Sequence, residues 1–161
     1  MKTIILYASK YGSTEECAKM LTEALEGIEG SIELVKLTGK ENVDLTGYST
    51  VIIGGPVYMG KLKEEVKIFC TQHAEELKTK NLGLFTCGMR EGEEALSQLD
   101  AVFPQELVKH AKVKDHFGGE FVFQKMNFLE KLIIKAVAKA KDDSSTISPS
   151  RIQGYARRIK N

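Results

Sequence analysis

Tryptophan is absent from this 161-residue chain, aromatic residues make up only 7%, and there are three prolines and three cysteines. Cys17, Cys70 and Cys87 are odd in number and widely spaced, with no CxxC and no Cys/His cluster, which argues against a disulfide framework and a zinc site. Reduced thiols in a cytoplasmic protein are the expectation. Charge of one sign is also lacking: 23 basic against 22 acidic residues leave +1, so no global field argues for a nucleic-acid partner. The longest uncharged stretch, Leu45 to Gly60, holds four glycines and a proline and is too short and broken to span a bilayer. Lys2 is followed by a short apolar run that reads as a strand, not as a secretory signal.

What is present is ordinary for a globular protein: 42% hydrophobic and 28% charged residues. The length predicts one domain over 1–161, large enough to bury roughly 70% of its unfolded surface. The charge is unevenly spread. From Lys125 onward there are nine basic and three acidic residues (+6), and the preceding part carries fourteen and nineteen (−5).

Thr3–Ala8 is a continuous β-rich run suited to a parallel strand covered on both faces. Ala18, Leu21, Leu25 and Ile28 recur at helical spacing after it. Ser31–Leu37, with Ile32 and Leu34 on one face and Val35 and Leu37 on the other, predicts strand two; Tyr48–Gly55 predicts strand three. Lys61–Leu77 reads as one helix with Leu62, Val66, Phe69 and Cys70 on one face, and Leu82–Cys87 as strand four. Short helices over Glu91–Leu99 and Gln105–Lys109 precede a fifth strand within Lys112–Phe123. Asp142–Ser150 reads as an exposed loop, and a last helix carries Ile152, Tyr155 and Ile159. Alternating strand and helix predict βαβ units and a doubly wound parallel sheet, whose ligands bind at the carboxyl ends of strands.

The loops at those ends are therefore the candidate site. Ser9-Lys10-Tyr11-Gly12-Ser13-Thr14 joins a buried strand to a helix start, where backbone amides and the helix dipole favour an anion. It matches neither GxxxxGK[ST] nor GxGxxG, so ATP and NAD are poorly supported. Ser9, Ser13 and Thr14 offer hydroxyl donors to a phosphate monoester; equally, Ser13-x-x-Glu16 reads as a plain capping box. Gly54-Gly55-Pro56-Val57-Tyr58-Met59-Gly60 offers one aromatic, Tyr58, to a flat heterocycle. Cys87 reads as a small buried hydrophobe. His73, His110 and His116 share no metal-ligand spacing and read as structural or exposed, and no Ser/His/Asp arrangement is found.

Ser9-x-x-Gly12-x-Thr14 after strand one resembles the phosphate loop of flavodoxins, and the likeness covers essentially the whole chain. It implies an α/β flavodoxin-like three-layer sandwich with a five-stranded parallel sheet in order 2-1-3-4-5, and one noncovalent FMN. Carried over, the resemblance assigns Ser9, Lys10, Tyr11, Gly12, Ser13 and Thr14 to the phosphate, and Pro56, Val57, Tyr58, Met59 and Gly60 to the ring face. Thr86, Cys87, Gly88 and Met89 fall to the ring edge, although Thr86–Gly92 lacks the aromatic that flavodoxins commonly place there. Arg90 reads either as a group near a reduced flavin or as a solvated side chain.

Three stretches look most like the menaquinone-dependent protoporphyrinogen IX dehydrogenase group: Met1-Lys2-Thr3-Ile4-Ile5-Leu6-Tyr7, Val51-Ile52-Ile53-Gly54 with Tyr58-x-Gly60, and Leu129-x-Lys131-Leu132-Ile133-Ile134-Lys135. The expectation is an FMN-binding electron-transfer protein that meets a redox partner protein, with that dehydrogenase, acting on a porphyrinogen and a quinone, as the alternative. A flavin-free interaction module is the third class. Met126–Lys141 predicts an extra helix after strand five, with Leu129, Leu132, Ile133, Ala136, Val137 and Ala140 on one face and Lys131, Lys135 and Lys139 on another. Packing on the domain and peripheral contact with an anionic membrane surface both fit that pattern. The oligomeric state is not legible.

Overall fold

The computed structural model describes residues 2–29, 31–121 and 144–161. Its elements run β1 (Lys2–Tyr7), α1 (Ser13–Glu29), β2 (Ile32–Lys36), β3 (Tyr48–Tyr58), β4 (Lys61–Leu62), α2 (Glu64–Gln72), α3 (Ala74–Leu77) and β5 (Asn81–Cys87). There follow α4 (Gly92–Val102), α5 (Gln105–His110), β6 (Val113–His116), β7 (Glu120–Phe121), β8 (Ser144–Ser145) and α6 (Pro149–Lys160). The helix expected over Met126–Lys141, with its two readings, lies outside the described residues.

Period-two alternation in the strands creates the layers. In β1, Ile4 and Leu6 join one core and Ile5 and Tyr7 the other; Val51 and Ile53 oppose Ile52 in β3 in the same way. One core is closed by α2 to α5 through Val66, Phe69, Cys70, Leu77, Leu99 and Leu107, the other by α1 and α6 through Leu21, Leu25, Ile152, Tyr155 and Ile159. The main sheet has the order β2-β1-β3-β5-β6, with every one of these pairings parallel. This is the α/β flavodoxin-like order expected, β5 and β6 standing for strands four and five. On β3, Gly54 makes room for Phe85: a Cβ there would lie 2.1 Å from the ring. Phe85 stacks on Phe117 with centroids 4.9 Å apart, and Tyr155 meets Phe117 edge-on at 5.1 Å.

Four local expectations are corrected. Lys61–Leu77 is not one helix. β3 runs on to Tyr58 and turns through Met59 (φ 54) and Gly60 (φ 75), so that Val57 pairs with Leu62 and Tyr58 with Lys61 in an antiparallel hairpin. Leu62 still enters the same core as Val66, and His73 (φ −111, ψ 16) separates α2 from α3. The fifth strand stops at His116, because Gly118 (φ 92) redirects the chain and a Cβ on it would lie 2.1 Å from the Thr146 carbonyl oxygen. The expected loop at Asp142–Ser150 contributes β8, which pairs antiparallel with β7. Ile28, placed by periodicity on the apolar face of α1, is 49% exposed near the helix end.

Candidate functional site

Three parallel strands end side by side, and their exits build a single cleft. Lys10, Tyr11 and Ser13 line it from the loop after β1, and Pro56, Val57 and Tyr58 from the end of β3. Cys87, Gly88 and Met89 contribute from the exit of β5, and Gly119 from the chain after β6. Gly119 was missing from the expected set. The Gly118-Gly119 pair was legible, but periodicity assigned it to a strand interior. The remaining expected residues stand around the cleft. Ser9 and Gly12 shape the first loop, Thr14 and Thr86 are buried, and Met59 and Gly60 form the exposed hairpin tip, Met59 being 61% exposed.

The first loop is organised locally. Ser9 Oγ accepts a hydrogen bond from the Gly12 amide at 3.0 Å, and the Gly12 carbonyl accepts from Glu16 N at 3.0 Å, which makes Gly12 the entry residue of α1. Gly12 has φ 93, a conformation that strains any residue with a Cβ. Glu15, in the first helical turn, accepts from Tyr7 Oη at 3.0 Å, and burial together with that carboxylate pushes the Tyr7 phenol up to about 12. Thr14 is 1% exposed, and its Oγ1 is buried without a hydrogen-bond partner. That hydroxyl acts on the buried Cys87 thiol, where it works against the effect of burial, and Thr14 itself does not line the cleft.

The second wall is aromatic: Lys10 Nζ lies 4.1 Å from the centroid of the Tyr58 ring. The third wall is tied to β6. Thr86 Oγ1 lies 2.8 Å from His116 Nδ1, the Gly88 amide donates to the Gly118 carbonyl at 3.0 Å, and Gly119 packs against Gly88 so closely that a Cβ would meet its carbonyl oxygen at 2.8 Å. Cys87 is wholly buried, and its burial, with the Cys17 thiol beside it, pushes the thiol well above its ordinary value. It is packed as the core residue expected, not exposed as a nucleophile. Arg90 forms an exposed ion pair with Glu94. Among the described residues no His/Cys/Asp/Glu group could hold a metal ion, and no helix is long and apolar enough to cross a membrane.

Residues 4–148 match the family described as the flavodoxin domain. This chain belongs to that family. A flavodoxin of Maridesulfovibrio salexigens is 30% identical over 92 residues, which are 54% of this chain and 63% of that one. The two-electron reduced flavodoxin of Megasphaera elsdenii superposes with a TM-score of 0.63 at 18% identity, covering 99% of both chains. The rubredoxin oxygen:oxidoreductase of Desulfovibrio gigas superposes with a TM-score of 0.57 at 18% identity, covering 99% of this chain but only 36% of that one. At such identities these two likenesses concern the fold alone.

The cofactor of the flavodoxin family is FMN. The residues present suit it: a hydroxyl-bearing loop with Lys10 at a helix start for a phosphate, and a tyrosine wall opposite glycine backbone for a flat ring.

Proposed function

We propose that this protein binds one FMN in the cleft at the strand ends and transfers electrons between redox partners through it. The observation that carries the reading is the cleft at the three strand exits, with the hydroxyl-bearing turn that opens α1 on one side and Tyr58 and the Gly88 and Gly119 backbone on the others. In this reading Ser9 to Thr14 hold the phosphate with hydroxyls, backbone amides and the helix dipole, and Lys10 is the one cation within the loop. Glu15, in the first helical turn, is turned towards Tyr7 by their hydrogen bond. Tyr58 covers one face of the ring, which requires Lys10 to leave it. Gly88, Met89 and Gly119 border the edge with backbone, and Met59 stands exposed at the hairpin tip where a partner arrives. FMN itself supplies the one- and two-electron chemistry, while the protein positions it and excludes water.

The test is to purify the protein, record a flavin absorption spectrum and identify the released cofactor by mass. A colourless protein that quenches no FMN fluorescence on titration would refute the reading. A second reading, a dehydrogenase that oxidises a porphyrinogen with a quinone acceptor, is favoured by the near-zero net charge of +1, which differs from the strong acidity of freely diffusing flavodoxin carriers. Anaerobic oxidation of protoporphyrinogen IX with a menaquinone analogue separates it from the carrier.

A further inference from the structure

His116 closes β6 directly behind the cleft wall, and none of the roles assigned above uses it. It is 3% exposed, and both ring nitrogens are engaged, Nδ1 at 2.8 Å from Thr86 Oγ1 and Nε2 at 3.1 Å from the Gly88 carbonyl oxygen. A carbonyl can only accept, so Nε2 carries the proton. Nδ1 of the neutral ring is then the acceptor, and the Thr86 hydroxyl donates to it. One side chain thereby joins the end of β5 to the loop that leaves it.

Gly88 is the part of the cleft this controls. Its amide donates to Gly118, its Cα hydrogen faces the Val57 carbonyl so closely that a Cβ would lie 3.2 Å from that oxygen, and the same Cβ would lie 3.7 Å from His116 Cε1. Gly119 also packs closely on the Gly88 carbonyl. The peptide is therefore held among the β3 wall, the glycines after β6 and the imidazole, and the only one of these restraints that can change its protonation is the imidazole.

We propose that His116 is a positioning residue of the FMN site: its neutral Nε2–H form fixes the Gly88 peptide at the ring edge, and proton uptake at Nδ1 loosens that edge and weakens FMN binding. The proposal rests on the FMN reading above. Protonation leaves the Nε2–H bond to the Gly88 carbonyl in place but turns Nδ1 from acceptor to donor, so the Thr86 hydroxyl must reverse and its own proton is left without an acceptor where Thr86 is 1% exposed. The imidazole loses its seat on β5, and with it the firm placement of the Gly88 peptide it carries.

Besides Thr86 on β5, the charged and polar groups around the ring come from β6, α6 and the loop after β5, where Glu91 lines the same small cavity as His116. On β6, Asp115 Oδ1 accepts from the His116 amide at 2.8 Å. From α6, Arg151 donates to Asp115 Oδ1 at 3.2 Å and to the His116 carbonyl at 3.4 Å, and Arg158 donates to Asp115 Oδ2 at 2.8 Å. From the loop after β5, the Gly88 and Arg90 backbones face the ring. Burial disfavours the imidazolium most, Arg151 adds repulsion, and the carbonyls and Asp115 oppose them; the balance holds His116 below its ordinary value. Because bound FMN needs the neutral form, the bound state has the lower pKa of the two, and affinity falls as pH drops through the value of the free protein.

The first measurement needs no cofactor: long-range 15N NMR of the protein without flavin should show His116 as the Nε2–H tautomer at neutral pH. The second is FMN fluorescence quenching at about pH 8 and about pH 5. His116→Leu should raise Kd about tenfold or more at the higher pH, as loss of a hydrogen bond with its partner left buried requires. His116→Gln, whose amide N–H reaches the Nε2–H position, should stay within about threefold of wild type and lose the excess pH dependence. The titrating phosphate of FMN is common to both proteins and cancels in that comparison. An Nδ1–H tautomer, an unchanged affinity in His116→Leu, or an unchanged pH dependence in His116→Gln overturns the proposal while FMN binding stands. No FMN binding by the wild type overturns the FMN reading and this proposal together.

Discussion

The loop after β1 and the loop after β5 border the same cleft, and the hydrogen bonds described for their backbones differ in range. Ser9, Gly12 and Glu16 shape the backbone of the first through bonds between residues no more than four apart, although Lys10 also reaches Tyr58. The second depends on partners about thirty residues away: His116 on Thr86 and Gly88, and Gly118 on the Gly88 amide. A locally held loop survives changes elsewhere in the fold, whereas a loop held by tertiary contacts inherits the stability of the elements behind it. The anion end of the cleft should therefore respond to substitution by changing affinity alone. The ring edge should change affinity and stability together.

The sharpest way to break the second loop is Gly118→Ala. The residue would have to hold φ 92 with its Cβ 2.1 Å from the Thr146 carbonyl, so a loss of about 3 kcal/mol or more in unfolding free energy is expected, read by thermal denaturation. Stability near wild type would show that the seam between the β6 exit and β8 is not what holds the edge. Thr14→Val tests the opposite prediction for the first loop. FMN affinity should fall by about ten- to a hundredfold, as loss of a hydrogen bond to a charged group requires, and the stability of the protein without flavin should stay within about 1 kcal/mol of wild type, because the hydroxyl that is removed has at most the weakly bonding Cys87 thiol beside it. A drop in both quantities would assign Thr14 to the core.

Asp115→Asn addresses the support behind the ring edge. Asp115 is mostly buried between Arg151 and Arg158, but both arginines are about half exposed, so the loss is expected to be about 1 kcal/mol in urea denaturation. The smallest effect concerns pH. The folded-state value of His116 is lowered, so its contribution to stability is complete above the ordinary histidine value of about 6.5 and is lost as pH falls from there towards the folded value. His116→Gln should remove that part of the slope; a slope identical to wild type would show that other groups produce it.

The same contrast explains what could be read in advance. Ser9-x-x-Gly12-x-Thr14 was legible because its geometry arises from neighbours in sequence. The core was legible where periodicity is strong, as in Ile4, Ile5 and Leu6, or in Ile152, Tyr155 and Ile159 of α6. Lys61 and Leu62 were misread because Leu62 lies at helical spacing from Val66 and joins the same core, and only the pairing of Val57 with Leu62 puts it in a hairpin. His116 gave no signal. A histidine at the end of a strand acquires meaning from Thr86 and Gly88, which lie about thirty positions earlier.

The sequence by itself determined the alternation of strands and helices, the parallel sheet and the turn that opens α1, because hydrophobic period and short-range hydrogen bonding act between near neighbours. Where β6 ends, why Gly118 and Gly119 must be small, and how His116 braces Gly88 were decided by tertiary structure. Those features depend on which backbone segments come within contact distance, and that is settled only when the whole sheet is assembled.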